Sequence, residues 1–438
     1  MSAAPDSPSR LPRRSFAIIF LVSIATALGN TGMQSVLPAI GRQMGFRDFW
    51  VAAIFSLSAL LWAFSSPFWA ALSDRSGRKP MMIVGLAGFM VSMICCGAVV
   101  AAGTRHLAAP ALIFVLFLLS RALFGLFGAA SNPATQAYVA DRTARAERTD
   151  AMSGLAGAFG LGTIIGPAIA PVFVLPVVGL AGPMFAFAVI AAVMIFVVLR
   201  WLPEAKGPVV IEPEADKDNE PGAPRRSLLR DPRLTPFLVY GFLVASAQTA
   251  QGQTLGFLIM DKLRLPPMQA QGYTAVAMMA GAIAGLLAQW GLIRMFRMAP
   301  RDLLRWGAGL AALANLIVAF APTYSGVVLG YALSSLGYGF CRPGFTAGSS
   351  LAVSQAEQAR AAGAIAAVNG VNVIVAPLFV LAYGVWRPAP FLVNTAILAG
   401  LLAYAVFNGV LSRAGAAPTT EDETAQSSLE RSQEGVSV

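Results

Sequence analysis

Long apolar runs alternate with short polar interruptions along this chain, and at the window of one membrane crossing they resolve into twelve segments. Their approximate bounds are 16–40, 50–72, 80–102, 109–133, 151–175, 180–202, 235–260, 270–293, 303–321, 326–350, 361–384 and 389–411. A helix needs roughly 20 apolar residues to cross the hydrocarbon core, and these runs match that length. All 21 acidic residues fall between the segments, whereas two arginines, Arg121 and Arg342, lie well inside them, away from the segment ends. A charge in hydrocarbon is costly and by default marks a functional position. The pattern predicts an all-α membrane protein of twelve transmembrane helices.

Composition agrees. The 438 residues are 57% hydrophobic and only 12% charged, with a mean hydropathy of +0.68; a soluble domain would be about a quarter charged. Twelve spans and their loops use almost the whole length, which leaves no room for a soluble catalytic domain. The net charge of +10 has a sided origin and does not imply nucleic acid. With a cytoplasmic N-terminus, about 23 Lys and Arg lie on the cytoplasmic side and about 6 opposite, as the positive-inside rule requires. Both termini are therefore expected in the cytoplasm. Arg10, Arg13 and Arg14 before an apolar run imitate a signal peptide. Asn30, Gln34 and Pro38 stand where a cleavage site would need small residues, so a retained first helix is expected.

The polar, Pro- and acid-rich stretch from Pro203 to Arg233 reads as a linker between two halves of six spans. The expected organisation is an N-terminal tail (1–15), a first bundle (16–202), a linker (203–234), a second bundle (235–412) and a C-terminal tail (413–438), both tails cytoplasmic. The halves echo each other: Pro133 and Pro343, Pro167 and Pro377, and Glu147 and Glu357 are spaced alike. Parallel repeats of this kind are what a two-bundle transporter shows. Cys95, Cys96 and Cys341 lie in apolar segments without metal-ligand spacing. No metal and no cofactor is expected, and His106, in a short loop, is expected to be merely solvated.

Three motifs carry the chemistry. Spans 2 and 3 are joined by Ala70-Ala71-Leu72-Ser73-Asp74-Arg75-Ser76-Gly77-Arg78-Lys79-Pro80. Gly77 suits a tight hairpin, Pro80 suits a first helical turn, and Asp74 can pair with a nearby arginine. This string closely resembles the loop signature of the major facilitator superfamily, with Ala70 in place of its first glycine. Span 4 carries Arg121-Ala122-Leu123-Phe124-Gly125, similar to the family's R-x-x-x-G motif, and continues to Asp141. Span 5 carries Gly162 and Gly166-Pro167, which resemble the antiporter signature of the drug-exporting branches; Ser153 and Ala170-Pro171 replace its other glycines. Small residues at this spacing let helix backbones approach closely.

The resemblance runs from Phe16 to about Ser412, is strongest in the N-terminal half, and is to the twelve-span drug:proton antiporters, the tetracycline and multidrug exporters among them. It implies the major facilitator fold, two pseudo-symmetric six-helix bundles that work by alternating access. It implies that Asp74, Arg75, Gly77, Arg78 and Asp141 form a conformational latch between the halves. It further implies that Gly162, Gly166 and Pro167 let spans of opposite halves seal the exterior end. Spans 1, 4, 7 and 10 would line a central cavity, which makes Asn30, Gln34, Arg121, Asn132, Gln248, Gln251, Tyr338 and Arg342 candidate substrate contacts; span 11 adds Asn369 and Asn372.

The expected function is export of small amphipathic molecules, proton-coupled, from the inner (plasma) membrane by a monomer in contact with lipid. No intramembrane carboxylate is available to carry the proton, so the coupling expectation rests on the resemblance. Two alternatives stay open: an exporter or exchanger of anionic, siderophore-like metabolites drawn by Arg121 and Arg342, and a non-transporting membrane sensor. An enzyme would need clustered acids, histidines or a nucleophile constellation, which the sequence does not offer.

Overall fold

The computed structural model describes residues 12–143, 145–204, 231–353 and 372–415, with Glu357, Ala361, Ala364, Ile365 and Val368 between the last two stretches. The expected tails and most of the expected linker lie outside these residues. The helices are α1 (Arg13–Gln43), α2 (Asp48–Ser76), α3 (Arg78–Thr104), α4 (Pro110–Asp141), α5 (Arg145–Ile169) and α6 (Gly182–Trp201), then α7 (Thr235–Leu263), α8 (Pro267–Phe296), α9 (Pro300–Phe320), α10 (Tyr324–Leu351), α11 (Ala376–Val385) and α12 (Ala389–Phe407). One 3-10 turn (Gly128–Ala130) interrupts α4, and a π-helical turn (Leu287–Leu292) interrupts α8. Most helices outrun their apolar segment by a few residues, and so take Asp48, Asp74, Asp141 and Asp261 into their ends.

Among the described residues, nine helices are long and apolar enough to cross a membrane. α7 and α10 are equally long, with 29 and 28 residues, but polar side chains dilute them. α7 carries Gln248, Gln251, Gln253 and Thr254; α10 carries Ser334, Tyr338 and Arg342. Such residues are tolerated at membrane depth where protein or a water-filled cavity replaces lipid. The two least apolar spans therefore mark the polar interior.

Prolines open α4, α8 and α9, where the missing N–H costs nothing. α2 and α3 reverse direction through Gly77 alone, at φ +95°, a conformation that only glycine adopts cheaply. In the first half α1 packs on α5, α3 on α4 and α6, and α2 on α4. The second half repeats this as α7 on α11, α9 on α10 and α12, and α8 on α10. This is the expected pair of pseudo-symmetric six-helix bundles. They meet where α2 touches α11, α5 touches α8, and α1 touches α7 and α8.

The cores show which end is closed. On the side that holds the termini, each half has its own buried cluster, around Met82 and Tyr138 in one and around Tyr240 and Leu304 in the other. At the far end a single cluster runs across both halves, from Leu37, Ile40 and Met44 to Phe257, Leu258 and Tyr383. The halves are fused at the far end and parted toward the termini.

The glycine stripe of α5 faces differently from expectation. A Cβ on Gly162 would lie 2.6 Å from the Ile24 carbonyl oxygen, and one on Gly166 would lie 2.3 Å from that of Leu28. Both glycines thus press against α1 of the same half. Pro167 continues the same helix. The residues of α5 that approach the other half are Gly157, beside the Trp290 ring, and Gly160, beside Leu286. Five residues of helix turn a surface by about 140°, so one stripe serves two neighbours.

Candidate functional site

A recess of about 180 Å³ lies between α7, α10 and the 3-10 turn before α11 (Asn372–Val375), lined by Val244, Gln248, Thr249, Arg342, Phe345 and Asn372 among others. It brings together three of the sequence-predicted cavity residues: Gln248, Arg342 and Asn372. Thr249 donates its hydroxyl to Asn372 Oδ1 at 3.0 Å, which ties the two walls. Gln248 and Arg342 are solvent-exposed, and among the described residues the Arg342 guanidinium has no carboxylate partner. On the first half Gln34 and Asn132 are exposed as well; Asn132 accepts a 3.3 Å bond from Gln136. Asn369 lies outside the described residues.

Two other candidates are not cavity residues. Gln251 is 1% exposed and accepts a hydrogen bond from Ser334 at 2.9 Å, bracing α7 against α10. Tyr338 is 2% exposed, and its hydroxyl accepts from Asn315 of α9 at 3.2 Å. Four residues of α-helix leave a rotation of about 40°, enough to send Tyr338 into the bundle while Arg342 reaches the recess.

Arg121 is also withdrawn from the cavity. It is 1% exposed, and its Nη2 donates to Asn30 Oδ1 at 2.6 Å. The rings of Phe55 and Phe124 cover the guanidinium at 4.9 and 4.5 Å from their centroids, an arrangement worth about 2 kcal/mol or more when desolvated. Nε and Nη1 have no partner among the described residues. Asn30, half-buried, therefore serves Arg121.

The expected latch residues assemble, but inside one half. Arg78 donates through Nε to Asp141 at 2.9 Å and through Nη1 to Asp74. This bridge ties the α2–α3 hairpin to the end of α4. Arg75 is exposed beside it. Because the halves are parted on this side, no ion pair crosses there among the described residues. The second half has a counterpart brace, in which Arg233 reaches Asp231 at 2.8 Å and Glu357 at 3.1 Å; hydrogen bonds from Arg233 hold the Asp231 carboxyl below its usual range.

The ion pair that does cross lies at the far end, and the sequence reading did not find it. Arg42 of α1 meets Asp261 of α7 at 2.5 Å and Asp48 at 2.7 Å. Asp261 Oδ2 also accepts from the Tyr383 hydroxyl at 2.6 Å and lies 3.4 Å from Arg387 Nε. Arg42 and Asp261 are 23% and 18% exposed, so the pair is partly desolvated and worth about 1–2 kcal/mol, between surface and buried values. Asp261→Asn is expected to loosen this clamp. In a cysteine-free background, Met260→Cys, now 4% exposed, should then react roughly tenfold faster with a membrane-impermeant maleimide. Unchanged reactivity would show that the apolar contact alone holds the end shut.

Known proteins share both the sequence and the shape. The family model of the Major Facilitator Superfamily matches residues 19–377. Multidrug resistance protein 2 of Bacillus subtilis (strain 168) is 34% identical over 163 residues, 35% of this chain and 36% of that one. Multidrug resistance protein MdtG of Citrobacter koseri is 29% identical over 169 residues, 37% and 38% of the two chains. The matched stretch spans little more than a third of these relatives. Among solved structures, a bacterial homolog of the human lysosomal transporter Spinster, inward-facing and unoccupied, has a TM-score of 0.71 at 14% identity, covering 93% of this chain and 99% of its own. The human organic anion transporter MFSD10 gives 0.62 at 19% identity, covering 90% and 100%.

Proposed function

The chain belongs to the Major Facilitator Superfamily, and from that premise we propose that it exports small amphipathic molecules by alternating access. The observation that carries this reading is a recess in the second half, between α7, α10 and the turn before α11, in a protein whose halves are parted at one end and fused at the other. Its lining combines apolar side chains, Val244, Ala245 and Phe345, with the polar Gln248, Thr249, Arg342 and Asn372, a mixture that suits an amphipathic small molecule. The two multidrug resistance relatives support export as the direction.

In this proposal the units 16–202 and 235–412 rock about the recess, joined by the linker 203–234. The protein sits in the inner (plasma) membrane as a monomer, with both termini and the parted side facing the cytoplasm, so that substrate enters from within the cell. The proton gradient drives the cycle. The Asp74–Arg78–Asp141 bridge stiffens the first half and presents its hairpin to the second half when the cytoplasmic end closes.

Expression in a bacterial strain stripped of its own exporters tests this. Cells making the protein should accumulate less of an amphipathic dye, and a protonophore should restore accumulation. Asp74→Asn, at matched membrane levels, should remove nearly all of the effect, because it unties the hairpin without touching the recess. Equal accumulation with and without the protein, across a panel of such compounds, would sink the reading.

A further inference from the structure

We infer that the recess is built for the anionic group of its substrate, a carboxylate, sulfonate or phosphate carried on an apolar body. This rests on the proposed exporter function and names the substrate class of the same site. The argument begins with how this chain treats an arginine that serves structure. Arg121 is closed off completely, given an amide acceptor at 2.6 Å, and covered by two aromatic faces. Arg342 receives none of these. It stands in the inner half of α10, exposed to the recess, with no carboxylate and no aromatic face assigned to its guanidinium among the described residues.

A cation held at membrane depth is costly, and its natural complement is a mobile anion. The donor count points the same way. Arg342 offers five N–H donors in a planar fork that matches a carboxylate or phosphate, and Gln248 adds an amide. The one hydroxyl in the lining, on Thr249, is already spent on Asn372. Among the described lining residues donors therefore outnumber free acceptors, which suits an acceptor-rich group and penalises an ammonium.

The remaining wall is apolar. Val244 and Phe345 line it, and a Cβ on Gly241 would fall 2.6 Å from the Phe345 ring, so that ring is held in place. About 180 Å³ accommodates the charged head and part of one ring. The rest of an amphiphile then extends beyond the recess, and Gln34 and Asn132, exposed on the first half, are the groups we assign to meet it. The substrate would be read as a head fixed by the second half and a body sampled by the first.

A matched pair of fluorescent probes tests this on the purified full-length protein in lipid nanodiscs, with protein-free discs subtracted. The anion is 8-anilinonaphthalene-1-sulfonate; the neutral partner, N-phenyl-1-naphthylamine, is the same scaffold without the sulfonate. Arg342→Gln is expected to weaken sulfonate binding about tenfold, the size of one charge-assisted contact, and to leave the neutral probe within about twofold. Unchanged affinity for the neutral probe also shows that the variant is folded. Arg342→Lys should keep part of the sulfonate affinity, since it retains the charge but not the fork. Equal loss for both probes, no loss for either, lysine behaving like glutamine, or no sulfonate binding to the unmutated protein would each overturn the inference. Efflux of N-phenyl-1-naphthylamine from cells tests the exporter reading separately, because that outcome does not depend on a sulfonate.

Discussion

Gly166→Ala and Gly160→Ala, the same change six residues apart on one helix, should have opposite effects on stability. The new Cβ at 166 would fall 2.3 Å from the Leu28 carbonyl oxygen and 2.8 Å from the Gly32 amide nitrogen. Both atoms belong to the α1 backbone, which cannot rotate away, so α1 and α5 must separate by about 1 Å. Separation surrenders packing along their whole line of contact, and overpacking of this kind costs about 1–3 kcal/mol. In membranes little else compensates, because close backbone approach is itself what holds such helices together. At 160 the nearest atom is a Leu286 methyl at 3.3 Å, the far end of a flexible side chain. There the alanine gains up to about 1 kcal/mol of helix propensity against a minor adjustment. Thermal unfolding of the two purified variants in one detergent should therefore bracket the parent protein, Gly166→Ala well below and Gly160→Ala level or slightly above. Transport should fall with Gly166→Ala in proportion to folded protein. Equal stability of the two variants would mean that the stripe is not a contact surface.

The spans were legible because the bilayer dictates both their length and their composition, and short loops leave little else to place; the first part of the eleventh lies mostly outside the described residues. Gly77 was legible for a related reason: a single residue between two long helices must reverse the chain. What the sequence could not supply was depth around each helix. On α7 and α10 every polar residue signals shelter from lipid, but shelter inside a bundle and shelter inside a cavity leave the same trace. Gln251 and Tyr338 belong to the first kind, Gln248 and Arg342 to the second. The glycines of α5 posed the same problem, since small residues mark a close neighbour without naming it. Arg42 was invisible for another reason. It stands at a span edge, where any arginine is unremarkable, and its partner Asp261 is 219 residues away. Only the fusion of the halves at that end joins them.

Asn30→Leu is expected to destabilise the protein more than the loss of one amide suggests, and a second substitution should repair it. Among the described residues the buried Arg121 guanidinium donates one hydrogen bond, from Nη2 to Asn30 Oδ1, while Nε and Nη1 lack partners. Removing Asn30 Oδ1 leaves the charge compensated, among the described residues, by the aromatic faces of Phe55 and Phe124 alone. Bonds to charged groups are worth about 1.5–3 kcal/mol, and a stranded partner pays its full desolvation on top. The cost should therefore reach about 3 kcal/mol. Arg121→Met added to Asn30→Leu removes the charge together with its demand for a partner. Replacing both members of a buried polar pair by apolar groups of similar size is often neutral or stabilising. A double-mutant cycle on thermal stability should accordingly show the double variant close to the parent and Asn30→Leu far below it. If Asn30→Leu unfolds no sooner than the parent, or Arg121→Met fails to rescue it, the pair is not a unit. Flux through the rescued variant then decides what the charge is for. A stable protein that no longer transports would assign Arg121 to the transport cycle, since every structural demand on it would have been removed.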